Sequence, residues 1–209
     1  MSPPFRLPVL LALVGAVVLG ACSGGGSEKA GSSTTTRPNG SVHATAGLVA
    51  VSSAGAPTEL PAADRDAILA AVTSYVQQAT VDPLEGKPPK DLTAALTASA
   101  APALTGPERD ALVDTGVPAA TGPIHTTLAP VNLRGLADRT GTIDLVGATL
   151  DLTAGAAAGK GEVTIHRTGE LMFTRDGWTW KLLSFRLNVT RDGPGVDAAT
   201  SSTTAKAAP

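Results

Sequence analysis

Apolar and polar positions recur along this chain with two different periods, and the change of period divides it. From Asp64 to Thr80, the residues Ile68, Leu69, Val72, Tyr75, Val76 and Ala79 fall on one face of an α-helix. Pro61, with Asp64 and Asp66 in the first turn, suits the start of that helix. Asp82-Pro83 predicts its end, because the residue before proline disfavours helical backbone. A second, short helix is expected from Asp91 to about Ala100, with Asp91 as N-cap, Leu92 and Leu96 inward, and Pro102 as the breaker. Thr105-Gly-Pro-Glu108 reads as a capping box, opening a third helix that carries Leu112 and Val113 and stops at Gly116.

After Gly122 the period becomes two. Ile124 to Leu133 predicts a strand, and Pro130 within it asks for an edge position or a bulge. In Thr142 to Thr153, Ile143 and Leu145 start on one face while Val146, Ala148, Leu150 and Leu152 continue on the other, which predicts a bulge or strong curvature. Glu162–Thr174 and Trp178–Thr190 read as two long strands joined by Asp176-Gly177, a type I′ hairpin signature. Val163, Ile165, Leu171 and Phe173 share one face of the first, and Thr164, His166, Thr168 and Glu170 the other. In the second, Trp178 and Trp180 share a parity opposite to that of Leu183, Phe185, Leu187 and Val189, so a bulge is expected at Leu182-Leu183.

The flanks lack either period. Ser23 to Pro57 is rich in Gly, Ser, Thr and Ala and reads as a tether, within which Gly47 to Val51 is apolar enough to dock as an extra strand. Beyond Pro194 an Ala-, Thr- and Ser-rich stretch reads as a disordered tail. The expected organisation is therefore a leader over 1–21, a tether over 22–60, one domain over 61–193 and a tail over 194–209.

Arg6 followed by the apolar run Leu7 to Leu19 has the make-up of a secretory leader and is too short to span a bilayer as a helix. The leader ends in Leu19-Gly20-Ala21-Cys22, which resembles the lipobox of bacterial lipoproteins. That resemblance implies cleavage before Cys22, a diacylglyceryl thioether with further acylation such as palmitate, and a lipid anchor at the extracytoplasmic face of a cell membrane. Two acyl chains suffice for stable attachment where one does not. Cys22 is the only cysteine, so no disulfide within the chain and no thiolate metal site can form. A net charge of −2 gives no electrostatic footprint for nucleic acid.

Helices followed by a curved antiparallel sheet, ending in Asp176-Gly-Trp178-x-Trp180-Lys-Leu-Leu-x-Phe185, resemble an NTF2-like domain. The resemblance implies an α+β cone in which N-terminal helices pack on a curved antiparallel sheet of about four strands, with a cystatin-like fold as the structural alternative. Within that group the chain is similar to actinobacterial lipoproteins and Mce-associated envelope proteins. It implies a non-catalytic envelope protein that binds a protein partner or an apolar ligand in the cone, with homodimers forming through a sheet face. Trp178, Trp180, Asp144 and Arg167 are the candidate ligand-binding residues. Arg167 stands out because it shares parity with Ile165 and Leu171, where a charge needs a partner such as Asp144 or a ligand carboxylate; Arg186 has the same ambiguity beyond the bulge. The alternative is an isomerase- or cyclase-like enzyme acting on a lipid or steroid-like molecule, which needs a carboxylate or imidazole inside the cavity and a donor for the developing oxyanion. Asp144, Asp151 and His166 are the candidates for that base; His125 reads as a surface residue and His43 as part of the tether. No cofactor motif and no metal-ligand spacing is present.

Overall fold

A computed structural model describes residues 35–38, 41–55, 58–88, 91–197 and 201–207. The chain divides into two units, Met1–Gly31 and Ser32–Pro209. The leader and Cys22 lie outside the described residues.

The second unit is a large mixed sheet covered on one face by a single long helical run. Its strands are β1 (Thr35–Pro38), β2 (Ala46–Ser53), β3 (Ile124–Leu128), β4 (Val131–Ala137), β5 (Ile143–Ala158), β6 (Gly161–Asp176), β7 (Thr179–Asp192) and β8 (Ser202–Ala207). β5, β6, β7 and β8 form an antiparallel meander. β3 and β4 share the other edge of β5, pairing with its two halves, and β1 and β2 flank them. Among the described strands, β2 runs parallel to β4 and every other pair is antiparallel. The expected cone of several helices on a sheet of about four strands therefore does not form. Among the described residues the sheet has eight strands, and a single long helical run of 23 residues packs on it.

Two causes account for the difference. The Ala-, Thr- and Pro-rich stretch after Lys87 does not sustain α-helix, and gives only the 3-10 turns Leu92–Ala95 and Ala101–Ala103 before α2 (Pro107–Leu112). At the same time, segments with no hydrophobic period add edge strands, which need backbone pairing more than a buried face. β2 is exposed along most of its length yet pairs with β4 from Ala46 to Ser53. Residues 202–207, expected in a disordered tail, pair with Phe185–Thr190 instead.

The long run, α1, is α-helical over Ala62–Val76, widens to a π turn over Gln77–Val81 and closes with Asp82–Leu84. It continues through Asp82-Pro83, where an end was expected. Pro83 lacks the N–H that would bond the Ala79 carbonyl, and the backbone N–H of Asp114 donates to that carbonyl instead, at 2.8 Å. The vacancy left by a proline thus fixes the turn after α2.

The bulges fall where the parity of the sequence changes. Ala137 pairs Ile143 while Leu136 pairs Leu145, leaving Asp144 as the extra residue. Phe173 pairs Leu182 while Met172 pairs Ser184, leaving Leu183 extra. The second bulge brings Trp180 and Leu182 onto the same buried face as Phe185, Leu187 and Val189. That face meets α1, so the apolar parity that would permit a sheet-face dimer is core instead. Asp176 pairs Thr179, so the hairpin loop is Gly177-Trp178, one residue later than Asp176-Gly177. Trp178 is consequently a loop residue and belongs to neither face.

Candidate ligand-binding groove

At the hairpin end of the sheet, α1 stands off from β6 and β7 and leaves a groove of about 300 Å3. Ala71, Ser74, Tyr75 and Gln78 form its helix wall, at the i, i+3, i+4, i+7 spacing of one helix face. Leu171, Phe173, Trp180 and Leu182 supply the sheet side, and Leu92 with Ala94–Leu96 closes the third side. This third wall is pinned where Leu96 bridges to Leu182 and the Thr97 N–H donates to the Leu182 carbonyl at 3.0 Å. The floor residues Tyr75, Leu112, Leu171, Phe173 and Leu182 are buried, whereas Ser74, Ala94, Ala95 and Thr179 are exposed at the mouth.

Trp180 is held rigidly for a wall residue. Its Nε1 donates to Oδ1 of Asp64 at 3.1 Å, and the Arg175 guanidinium lies 4.8 Å over its ring while also pairing with Asp64 Oδ2 at 2.6 Å. Asp64 stands in the first turn of α1, where a carboxylate is favoured by the helix dipole. One acidic residue thereby ties the helix start to the hairpin.

Behind Tyr75 the character changes. Arg167 and Arg191, 0% and 1% exposed, meet Asp114, 1% exposed, through Arg167 Nη2 at 2.8 Å and Arg191 Nε at 2.7 Å, both to Oδ1. The hydroxyl of Thr80 donates to the other oxygen at 2.5 Å. Arg167 Nη1 also donates to the Tyr75 hydroxyl at 2.8 Å and to the carbonyls of Ala111 and Leu112. Arg191 Nη2 donates to the Asp110 carbonyl at 2.7 Å, and its Nη1 donates to Thr203 of β8 at 3.0 Å. Buried charges persist only when paired and hydrogen-bonded in this way. Burial opposes the Arg167 charge, but Asp114 and Tyr75 outweigh it and the net shift of its pKa is upward. Burial also pushes the Tyr75 hydroxyl up to about 12, against the opposing charge of Arg167. Tyr75 donates to the Leu112 carbonyl at 3.0 Å, so it sits with its ring on the groove and its oxygen in the charged cluster.

The candidates named from sequence separate on this map. Trp180 lines the groove at 9% exposure, while Trp178 projects from the hairpin loop at 98%. Arg167 is buried beside the groove and pairs with Asp114 rather than Asp144. Asp144 is exposed at its bulge, and its carbonyl accepts from Thr174. Asp151 and His166 pair with each other at 3.2 Å on the solvent face, 63% and 51% exposed. His43, His125 and Arg186 are exposed as well. None of the three bases on which the enzyme alternative rested points into the interior. Among the described residues, no group of three or more His, Cys, Asp or Glu side chains could hold a metal ion, and no helix is long and apolar enough to cross a membrane. Sequence reading missed Asp64 as a clamp, and Asp114 and Arg191 as partners of Arg167. Arg191 carried the available signal, since it follows Val189 at the same parity as Arg167 follows Ile165.

Comparison with family models, with curated proteins and with solved structures finds no match to this chain.

Proposed function

We propose that this protein is an extracytoplasmic lipoprotein, anchored to a cell membrane through lipid on Cys22, whose sheet-and-helix domain binds an apolar ligand. The observation that carries the ligand-binding part is the groove itself, an apolar volume of about 300 Å3 with a buried floor and an open mouth. Apolar walls left in contact with water forgo about 25 cal/mol per Å2 relative to burial, so a domain shaped for stability alone would gain by closing the groove. A rigid Trp180 and a pinned third wall keep it open without a ligand, which favours binding by reducing what must be ordered. The anchor part rests on Leu19-Gly20-Ala21-Cys22 after an apolar leader.

Native mass spectrometry of the full chain, purified gently from a bacterial host, tests the ligand. A copurifying mass of a few hundred daltons, lost when Ala71→Phe fills the groove, is the expected result. A clean apo mass that no added apolar compound changes counts against it. For the anchor, a palmitate analogue fed to the cells is expected to label the wild type and not Cys22→Ala; equal labelling of both ends that reading. A protein partner is the second reading, favoured by the 98% exposure of Trp178 at the hairpin loop.

A further inference from the structure

Each polar side chain around the groove already has a partner within the protein. Gln78 donates to Ser74 at 2.7 Å, the Tyr75 hydroxyl joins Leu112 and Arg167, and the Trp180 Nε1 is on Asp64. Thr179 donates to the Asp176 carbonyl, and the Lys181 ammonium lies 2.8 Å from the Asp176 carboxylate. The buried side-chain polar atoms that lack a hydrogen bond among the described residues both belong to Arg167, which is not a lining residue. A ligand carrying a polar group down to the buried floor of this groove would therefore lose its water and find no unpartnered group there, a cost of about 1–3 kcal/mol per group. Hydrocarbon meets no such penalty.

The dimensions narrow the shape. Ala71 to Gln78 spans two helical turns, roughly 10 Å at 1.5 Å per residue, so about 300 Å3 leaves a mean cross-section of about 30 Å2. The space is narrow for its length along the helix, floored by Leu112 and Leu171 and open along the side that carries Ser74 and Thr179. We infer that the groove takes one unbranched alkyl or acyl chain, laid along the helix, with the head group left in water at the mouth and not recognised. This deepens the ligand-binding reading above and rests on it.

The test uses the full chain carrying Cys22→Ser and Trp178→Phe, which leaves Trp180 as the sole tryptophan reporter. Octanoate, decanoate and dodecanoate are titrated against its emission, followed by decanol and decyltrimethylammonium, and then by a sterol of similar mass. The expected result is a blue shift, with affinity rising about fourfold per added methylene until the groove is full. The three ten-carbon probes should agree within about threefold. A tenfold preference for one head group overturns the inference, and so does flat chain-length dependence with tighter sterol binding. If no probe of any shape binds, the ligand-binding reading itself falls. Ala71→Phe on the helix wall should abolish the response; Ala95→Phe, at an exposed position of the facing wall, repeats the control should Ala71→Phe not fold. Repeating the titration with vesicles of a phosphatidylcholine bearing the same chains distinguishes the source. A matching shift means the chain is drawn from a bilayer, and a shift with free amphiphile alone means it is taken up from solution.

Discussion

Strands β6 and β7 cross beneath the helices in two stretches a few residues apart, and the two are closed in opposite ways. Around Arg167 and Arg191 the sheet face carries full charges, and the space above them is filled by Asp114, Thr80 and the carbonyls that end α2. Around Leu171, Phe173, Trp180 and Leu182 the face is apolar, and the space above it is left as the groove. Each stretch borrows rigidity from a single carboxylate, Asp114 in one and Asp64 in the other. What differs is what the carboxylate holds. Asp114 draws two arginines onto itself and leaves no volume, whereas Asp64 fixes a tryptophan edge to the start of the helix and so holds one wall of the groove in place. Tyr75 stands on the boundary and takes part in both.

The sharpest way to break this contrast is to remove Asp114. Asp114→Ala leaves Arg167 and Arg191 buried without their shared counter-charge, and is expected to lower stability by about 3–5 kcal/mol in urea denaturation. Replacing all three ionic side chains with apolar ones of similar volume should restore much of the loss, because the penalty lies in the unpaired charge. A single substitution costing under about 1 kcal/mol would mean that water reaches the cluster and that the two stretches do not differ in kind.

Tyr75 offers a reading of the boundary by pH. It is the only tyrosine in the chain, so tyrosinate absorbance in the near ultraviolet reports this one group. Burial, as the largest cause, raises its pKa to about 12 from the ordinary tyrosine value of 10.0. Below pH 10 the hydroxyl is neutral in both states, and between pH 10 and 12 the unfolded chain gives up the proton first. Stability attributable to this group is therefore intact below pH 10 and falls by roughly 2 kcal/mol by pH 12. An ordinary midpoint near 10 in the folded protein would place the hydroxyl in water and detach it from Arg167.

How much of this could be read in advance varies with the kind of signal. The α1 stripe was legible because one helix face is buried throughout, and the bulges at Asp144 and Leu183 were legible because parity changes there. The extent of the sheet was legible only in part: the apolar stretch Gly47 to Val51 pointed to the strand that is β2, but its pairing and the whole of β8 did not show. β2 and β8 have no buried alternating face, and the information that places them is backbone pairing supplied by β4 and β7. Continuation of α1 past Pro83 was equally hidden, since it depends on the Asp114 N–H arriving from 31 residues later to take the Ala79 carbonyl. At the site, Arg167 was recognisable as a charge at an apolar parity, but its partner was not, because nothing local distinguishes Asp114 from Asp144. Trp180 and Trp178 share a parity, and only the hairpin register separates a groove wall from a loop.

That separation gives the smallest expected effect and the finest test of the contrast. Trp178 is 98% exposed at the loop, has no pairing partner in the β6–β7 ladder and lines none of the groove. Trp178→Ala should therefore change stability by no more than about 0.5 kcal/mol, as for surface positions without a special role. It should also remove the red, water-like part of the tryptophan emission and leave the bluer signal of Trp180, whose ring is packed beneath Arg175. Affinity for an apolar probe is expected to stay unchanged. A destabilisation above about 1 kcal/mol would show the Trp178 ring folded back against the sheet. A loss of probe affinity with stability intact would extend the groove past Thr179 to the hairpin loop, and the two tryptophans would then be parts of one binding surface.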